Sequence, residues 1–311
     1  MRRLLAVAVL ALSLVVTAPV YASGGSRQPS IIIDTDFGQW WDDVAALAAV
    51  HAAADRGDVR ILGVVSDVSN PWNAPALDAL NTWYGRPNIP IGVTAGAAPV
   101  EQNYAQLIAQ RFPHSGRPED GVALYRRLLR NAPDHSVTVL SIGALTTLAQ
   151  LMRTDRALVA RKVAQTVIMG GEYPRASVPE WNFGLDLPAT RSVVANWPTP
   201  VVYDGFEIGG RIFVGNNVCA SHPVRSPVRA AFDVLYGCPN DQADGTWDPT
   251  ALYYAIYGTA GVYRLGGQGG HNVVTPDGLN AWVRGGNEDR YLLLTDAARL
   301  TRALDALIDA H

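Results

Sequence analysis

Two rhythms alternate along this chain. Short apolar runs rich in Val and Ile recur at 31–33, 59–67, 89–93, 135–141, 163–169 and 200–203. Runs this short and this continuous suit strands buried on both faces, as in a parallel sheet. Between them, apolar residues fall at helical spacing over 42–56, 74–84, 101–111 and 121–130, from Thr146 through Met152, and over 228–236 and 250–257. In the first helix Val44, Leu47, Ala48, His51 and Ala54 form the stripe, so His51 reads as a core histidine. This alternation predicts an α/β protein: an open, mostly parallel sheet flanked by helices. The last part changes pattern. Residues 263–274, 281–283 and 291–294 read as short strands of an antiparallel appendage, which makes the strand set mixed, and 296–309 as a closing amphipathic helix. Residues 212–223 fit neither rhythm. The connection 172–183 is long, and long ordered loops are often functional.

The first residues stand apart. Arg2 and Arg3, the apolar stretch 4–16 and the small-residue end Val20-Tyr21-Ala22 read as a secretory leader over 1–22. The apolar run is short for a membrane span. One domain over 23–311 is expected, secreted or periplasmic, with no membrane attachment after cleavage; whether it forms a homo-oligomer is open. A net charge of −3 and no basic cluster interleaved with aromatics exclude nucleic-acid polymers as partners. Cys219 and Cys238 most simply form a disulfide in an exported protein, with two buried free thiols as the competing reading.

The chemistry concentrates at 31–47, IIIDTDFGQWWDDVAAL. It reads as a buried strand, a turn through Gly38 and a helix start, with Asp34, Asp36, Asp42 and Asp43 at the strand's carboxyl end. Open α/β sheets bind ligands there. One helix cap would explain Asp42 or Asp43, but not four acids in ten residues. Carboxylates this crowded repel one another, and a hard cation that prefers oxygen relieves that repulsion. On the same rim lie Asn70, either a sugar ligand or a turn former before Pro71, and the group Glu180-Trp181-Asn182 in the long loop. Gly143 lets a backbone carbonyl come close to a ligand. Asp248-Pro249 is ordinary helix-start chemistry when taken alone.

Five segments in order resemble the inosine-uridine nucleoside hydrolase family: Asp34-Thr35-Asp36-Phe37-Gly38 with Asp42-Asp43; 63–70, GVVSDVSN; 142–149, IGALTTLA; Met169-Gly170-Gly171 with Glu180-Trp181-Asn182-Phe183 and Asp186; and Trp247-Asp248-Pro249. The resemblance implies the family's open, mostly parallel Rossmann-like fold and a Ca²⁺-dependent hydrolysis of ribonucleosides to free base and ribose. It implies Asp36 as Ca²⁺ ligand and as the base that activates water. Asp43, Asp248 and the Ile142 carbonyl would complete the protein's Ca²⁺ shell. Asp42, Asn70, Glu180 and Asn182 would grip the ribose hydroxyls, and Asp34 would orient its neighbours. The partner would be a small nucleoside or another N-riboside.

Three departures concern the base half of the site. Two extra residues separate Gly38 from Asp42, and Trp40 and Trp41 take up that space. Trp247 stands where many members carry a histidine that protonates the leaving group. The Asn that several members place before the Glu of the fourth motif has no clear match near Tyr173-Pro174-Arg175. Trp40, Trp41 or Trp247 stacking on an aromatic base is one outcome, and ordinary core or rim packing is the other. Two further readings accompany these departures: hydrolysis of another N- or O-glycoside, and a non-catalytic protein that binds a nucleoside or sugar.

Overall fold

The computed structural model describes residues 28–101, 103–239, 244–286 and 288–310. The leader expected over 1–22 lies outside them. Strands β1 (Ser30–Thr35), β2 (Arg60–Ser66), β3 (Ile91–Val93), β4 (Glu119–Asp120), β5 (Val137–Ser141), β6 (Val163–Met169) and β7 (Val201–Asp204) appear in turn with helices between most of them. A two-residue pair follows, β8 (Phe213–Val214) with β9 (Asp244–Gly245), and then β10 (Tyr263–Gly266), β11 (Gly270–Val274), β12 (Asn280–Arg284) and β13 (Arg290–Leu294). Nine of these form one sheet in the order β10-β13-β7-β6-β5-β1-β2-β3-β4. All neighbours are parallel except β10 and β13. The mixed, mostly parallel α/β sheet expected from the pattern is present.

β1 lies at the centre because its side chains serve both faces. Ile31 and Ile33 join the apolar layer under the helices Trp41–Asp55, Pro227–Tyr236, Asp248–Tyr257 and Ala297–Ile308, while Ile32 joins the layer under Gly121–Asn131 and Thr146–Lys162. A strand's two-residue period produces that division. Helix Trp41–Asp55 is buried almost all round, beyond the single stripe read from its spacing. Its alanines let neighbouring helices approach closely. His51 is a core histidine as expected: its Nε2 lies 3.0 Å from Asn81 Oδ1, its ring stacks on Tyr84, and burial pushes its pKa down to about 3.

The C-terminal strands differ from the expectation. Gly267 and Gly269, both at positive φ, break the run 263–274 into β10 and β11. β11 and β12 make a separate hairpin, while β10 and β13 extend the main sheet, with β13 parallel to β7. β10 and β13 are thus an edge of the core, whereas the β11–β12 hairpin is an antiparallel appendage of the kind the pattern predicts. The helix expected at 101–111 is shorter, Ala105–Arg111, and the loop before Gly121 supplies the edge strand β4. The unassigned stretch 212–223 holds β8 and a short helix, Val218–Ser221. Cys219 and Cys238 are disulfide-bonded, with Cα atoms 5.7 Å apart. No helix among the described residues is long and apolar enough to cross a membrane.

Candidate active site

Register brings the site together. In the β1 pairings Asp34 lies opposite Val65 of β2 and Ser141 of β5, so the carboxyl ends of the three strands are level. Beyond that level edge is a cavity of about 360 Å³ lined by Asp36, Trp40, Asp42, Asp43, Met169, Glu180, Trp181, Asn182, Phe206, Gly245, Trp247 and Asp248. Asp36 follows β1. Asp42 and Asp43 lie in the first turn of helix Trp41–Asp55, whose N-cap is Trp40 with no side-chain cap bond, so neither aspartate is a cap. Asp248 opens helix Asp248–Tyr257. Two helix N-termini thus direct their positive ends at this acidic floor.

Oxygens of Asp42, Asp43 and Asp248 lie within 4.8 Å of one another. Asp36 lines the same cavity but is not one of that trio, and Asp42, expected at the sugar, is. Thr35 Oγ1 donates to Asp43 Oδ1, and the Trp247 N–H donates to Asp42 Oδ2 at 3.2 Å. Burial, then the charges of its acidic neighbours, pushes Asp43 and Asp248 well above the usual carboxylate range. Burial, with Asp42 and Glu180 adding to it, raises Asp36 to about 7. No ion pair among the described residues involves Asp36, Asp43 or Asp248. A buried all-oxygen trio of this kind is a donor set for a hard divalent cation.

Ile142 follows β5 directly, and its N–H donates to the Asp34 carbonyl at 2.8 Å, which places it beside the end of β1. Gly143 comes next. A Cβ there would fall 2.5 Å from the Asp36 amide nitrogen and 2.6 Å from an Asp67 carboxylate oxygen, so the close approach requires glycine. Asp34 accepts from Thr147 Oγ1 at 3.0 Å and Tyr125 OH at 3.1 Å, which ties the end of β1 to two helices. Asp67 was missed from sequence. It is fully buried, and burial followed by the charge of Asp34 raises its pKa. Its position at the end of β2 was the available signal.

Glu180 caps helix Trp181–Leu185. Its Oε2 accepts from the Gly171 amide (3.0 Å) and the Phe183 amide (3.1 Å), and its Oε1 from the Asn182 amide (3.0 Å). The Asn182 Nδ2 donates to Met169 Sδ at 3.0 Å and Met169 O at 3.3 Å. Asn70 does not line the cavity: its Oδ1 accepts from the Trp72 N–H at 2.7 Å in a turn, and its buried Nδ2 has no partner.

The rim is aromatic. Trp247 stacks on Phe206 with centroids 5.1 Å apart and donates its Nε1–H to the Phe206 carbonyl at 2.8 Å. Trp40, Trp181 and Phe206 are each about half exposed at the cavity. Of the two readings for Trp41, core packing holds: it is buried against Phe232, since helix geometry turns it inward one residue after Trp40. Phe206 was not anticipated, although it follows β7 on the expected rim.

A parallel sheet with a carboxylate floor and an aromatic rim at its strand ends defines an α/β enzyme with a small-molecule site. The profile of the inosine-uridine preferring nucleoside hydrolases matches residues 31–261, and the chain belongs to that family. Among solved structures it is similar to a plant nucleoside hydrolase (16% identity, 92% of this chain and 100% of that one, TM-score 0.73). It is also similar to an inosine-uridine preferring nucleoside hydrolase from Bacillus anthracis (14%, 90% and 99%, TM-score 0.72) and a purine-preferring ribonucleoside hydrolase from Gardnerella vaginalis (14%, 90% and 98%, TM-score 0.70). At these identities the likeness is one of fold. No curated protein matches the chain by sequence.

Proposed function

We propose that the protein is a Ca²⁺-dependent N-ribohydrolase that cleaves ribonucleosides to free base and ribose. The observation that carries this is one cavity holding Asp36, Glu180 and Asn182 together with the close trio Asp42, Asp43 and Asp248. Family membership supplies the reaction class. Asp42, Asp43 and Asp248 would hold the ion, and Asp36, which lines the same cavity, and the Ile142 carbonyl would be further ligands by the family pattern. When bound, a divalent ion acidifies a neighbouring water and offers coordination to sugar hydroxyls. Everything else falls to the chain's own groups. Asp36 takes the proton of the attacking water. Glu180, fixed by three amides, accepts from ribose hydroxyls together with Asn182, and the orientation they impose lowers the barrier. The surrounding carboxylates stabilise the positive charge that develops on the ribosyl ring in an oxocarbenium-like transition state. Trp247 and Phe206 face the base.

The test is release of base and reducing sugar from a nucleoside panel. Activity should disappear on chelation, return with Ca²⁺ and be absent in Asp36→Ala. Turnover that chelation leaves intact, or no turnover on any riboside, refutes the proposal. We further propose that the protein works outside the cytoplasm. The leader-like start and the Cys219–Cys238 disulfide support that location.

A further inference from the structure

The turn that carries Asp248 into the cavity is held from behind, by groups outside the cavity lining. Helix Asp248–Tyr257 starts without a side-chain cap: Trp247 occupies the cap position and supplies no cap bond. Asp248 and Pro249 follow, and the next residue, Thr250, is completely buried. Two strands of the main sheet grip it. From β10, Tyr263 OH donates to the Thr250 carbonyl at 3.1 Å. From β7, the last residue, Asp204, brings its Oδ2 to 2.5 Å from Thr250 Oγ1. Asp204 is itself buried and lies level with Met169 of the cavity wall, and its carbonyl accepts from the Gly170 N–H at 3.0 Å.

Thr250 Oγ1 also lies 2.5 Å from the Trp247 carbonyl, the ordinary helical partner of a threonine three residues on. A hydroxyl has one hydrogen, and a backbone carbonyl can only accept. The Thr250 hydrogen therefore goes to Trp247, and the second close contact is a hydrogen bond only if Asp204 carries a proton and donates it. Burial favours that state: it holds the Asp204 carboxyl well above the usual carboxylate range, and the charge of Glu207 adds to the effect. The other oxygen, Oδ1, has no partner among the described residues, which a neutral acid tolerates far better than a carboxylate.

Resting on the Ca²⁺-dependent hydrolase reading above, we infer that Asp204 is a positioning residue: as a neutral acid it donates to Thr250, Thr250 donates to the Trp247 carbonyl, and the relay fixes the first turn of the helix so that Asp248 meets Asp42 and Asp43 in a shape ready for the ion. Asp204 touches neither ion nor substrate. It acts as groups behind a metal ligand commonly do, by setting the ligand's orientation in advance.

The experiment measures Ca²⁺ binding by calorimetry on the protein freed of metal, beside difference infrared spectroscopy. Asp204→Leu and Thr250→Val each break the relay and should weaken Ca²⁺ binding about tenfold. Asp204→Asn, whose amide N–H can donate to Thr250 Oγ1 without a charge, should bind Ca²⁺ within about twofold of the wild type. The infrared difference between wild type and Asp204→Asn at neutral pH should contain the carbonyl stretch of an un-ionised carboxylic acid. A Leu variant that binds Ca²⁺ as the wild type does overturns the inference. So does an infrared difference without that band. So does an Asn variant as weak as the Leu one, because the charge of Asp204 and not its hydrogen bond would then act on the ion. If Asp204→Leu does not fold, Thr250→Val against Asp204→Asn decides in the same way. In each of these failures, Ca²⁺ binding and riboside turnover by the wild type leave the hydrolase reading standing. A wild type that binds no Ca²⁺ refutes both.

Discussion

The floor and the rim of the cavity are built on different principles. The floor residues Asp36, Asp43, Asp248, Glu180 and Asn182 are all buried and grow from strand ends and helix starts. Their carboxylates are packed against one another at a cost in self-repulsion, and burial raises every one of them. The rim residues Trp40, Trp181 and Phe206 are 50%, 49% and 48% exposed, and they sit at three separate helix starts, Trp40 as the N-cap of Trp41–Asp55 and the others as the first residues of Trp181–Leu185 and Phe206–Gly209. Side chains buried among the floor carboxyl groups cannot vary without disturbing their neighbours. Half-exposed rim side chains can. On the proposed function, the buried floor keeps the reaction chemistry and the exposed rim side chains are left to choose the leaving group.

The largest effect should come from the floor. Asp36→Asn keeps the shape and removes the proton acceptor, so kcat should fall about 10³-fold or more. The same change removes a buried, repelled carboxyl group, so the melting temperature should hold or rise, the trade between activity and stability typical of strained sites. Steady-state kinetics beside a thermal melt reads both. A variant that loses stability and keeps its rate would reverse the assignment of floor to chemistry.

Next in size is the ion. Chelation should bring turnover to background. Ca²⁺ at a hundredfold excess over its dissociation constant should stabilise the fold by about 2.7 kcal/mol, which a calorimetric melt resolves. In Asp248→Asn the Ca²⁺-induced shift should largely vanish. A shift that survives there would place the ion elsewhere than among Asp42, Asp43 and Asp248.

A rim change should act on binding. Trp247→Leu removes one member of the stack on Phe206 and should raise KM about two- to tenfold, in line with the 0.5–1.5 kcal/mol of an aromatic pair beyond its buried area, while product inhibition by free ribose stays within twofold. Equal losses against nucleoside and ribose would show that the indole supports the floor as well.

The same division explains how much of the site is legible in the sequence. Floor residues sit in contiguous segments with strong local signals: four acids after a β-branched run, an Asp-Pro helix start, a Glu two residues before an Asn. The β1–β2 pairing follows from consecutive parallel strands, whereas the β1–β5 pairing, with three strands between them in sequence, leaves no local trace. Asp67 escaped notice because a lone acid at a strand end resembles turn chemistry. Phe206 escaped because a lone aromatic after a strand resembles core. Trp40 and Trp41 looked alike in sequence, and only the start of the helix between them sends one to solvent and the other inward. The C-terminal strands were misplaced because pairing of β13 with β7 spans most of the second half of the chain and leaves no local trace.

The smallest expected effect tests whether the rim is as adjustable as its exposure suggests. Tyr104 is fully buried, far from the floor's chemistry in sequence, and its hydroxyl serves the Trp40 carbonyl and the Gly38 amide at once. Tyr104→Phe keeps the ring, which packs edge-on against Phe37 at 5.2 Å, and deletes only the oxygen. Two backbone groups then lose a partner, at a cost of about 1–3 kcal/mol if neither reaches water. Asn103, donating to the Gly38 and Gln39 carbonyls, still holds the loop's other side, so the loop should loosen rather than unfold. The expected result is a KM two- to fourfold higher, by about 0.4–0.8 kcal/mol on the scale where 1.36 kcal/mol is tenfold, with kcat unchanged and a modest drop in melting temperature. A fall in kcat instead would mean that the Trp40 loop also positions Asp42 and Asp43 through the helix start that follows it, and the boundary between rim and floor would lie one turn further along the chain.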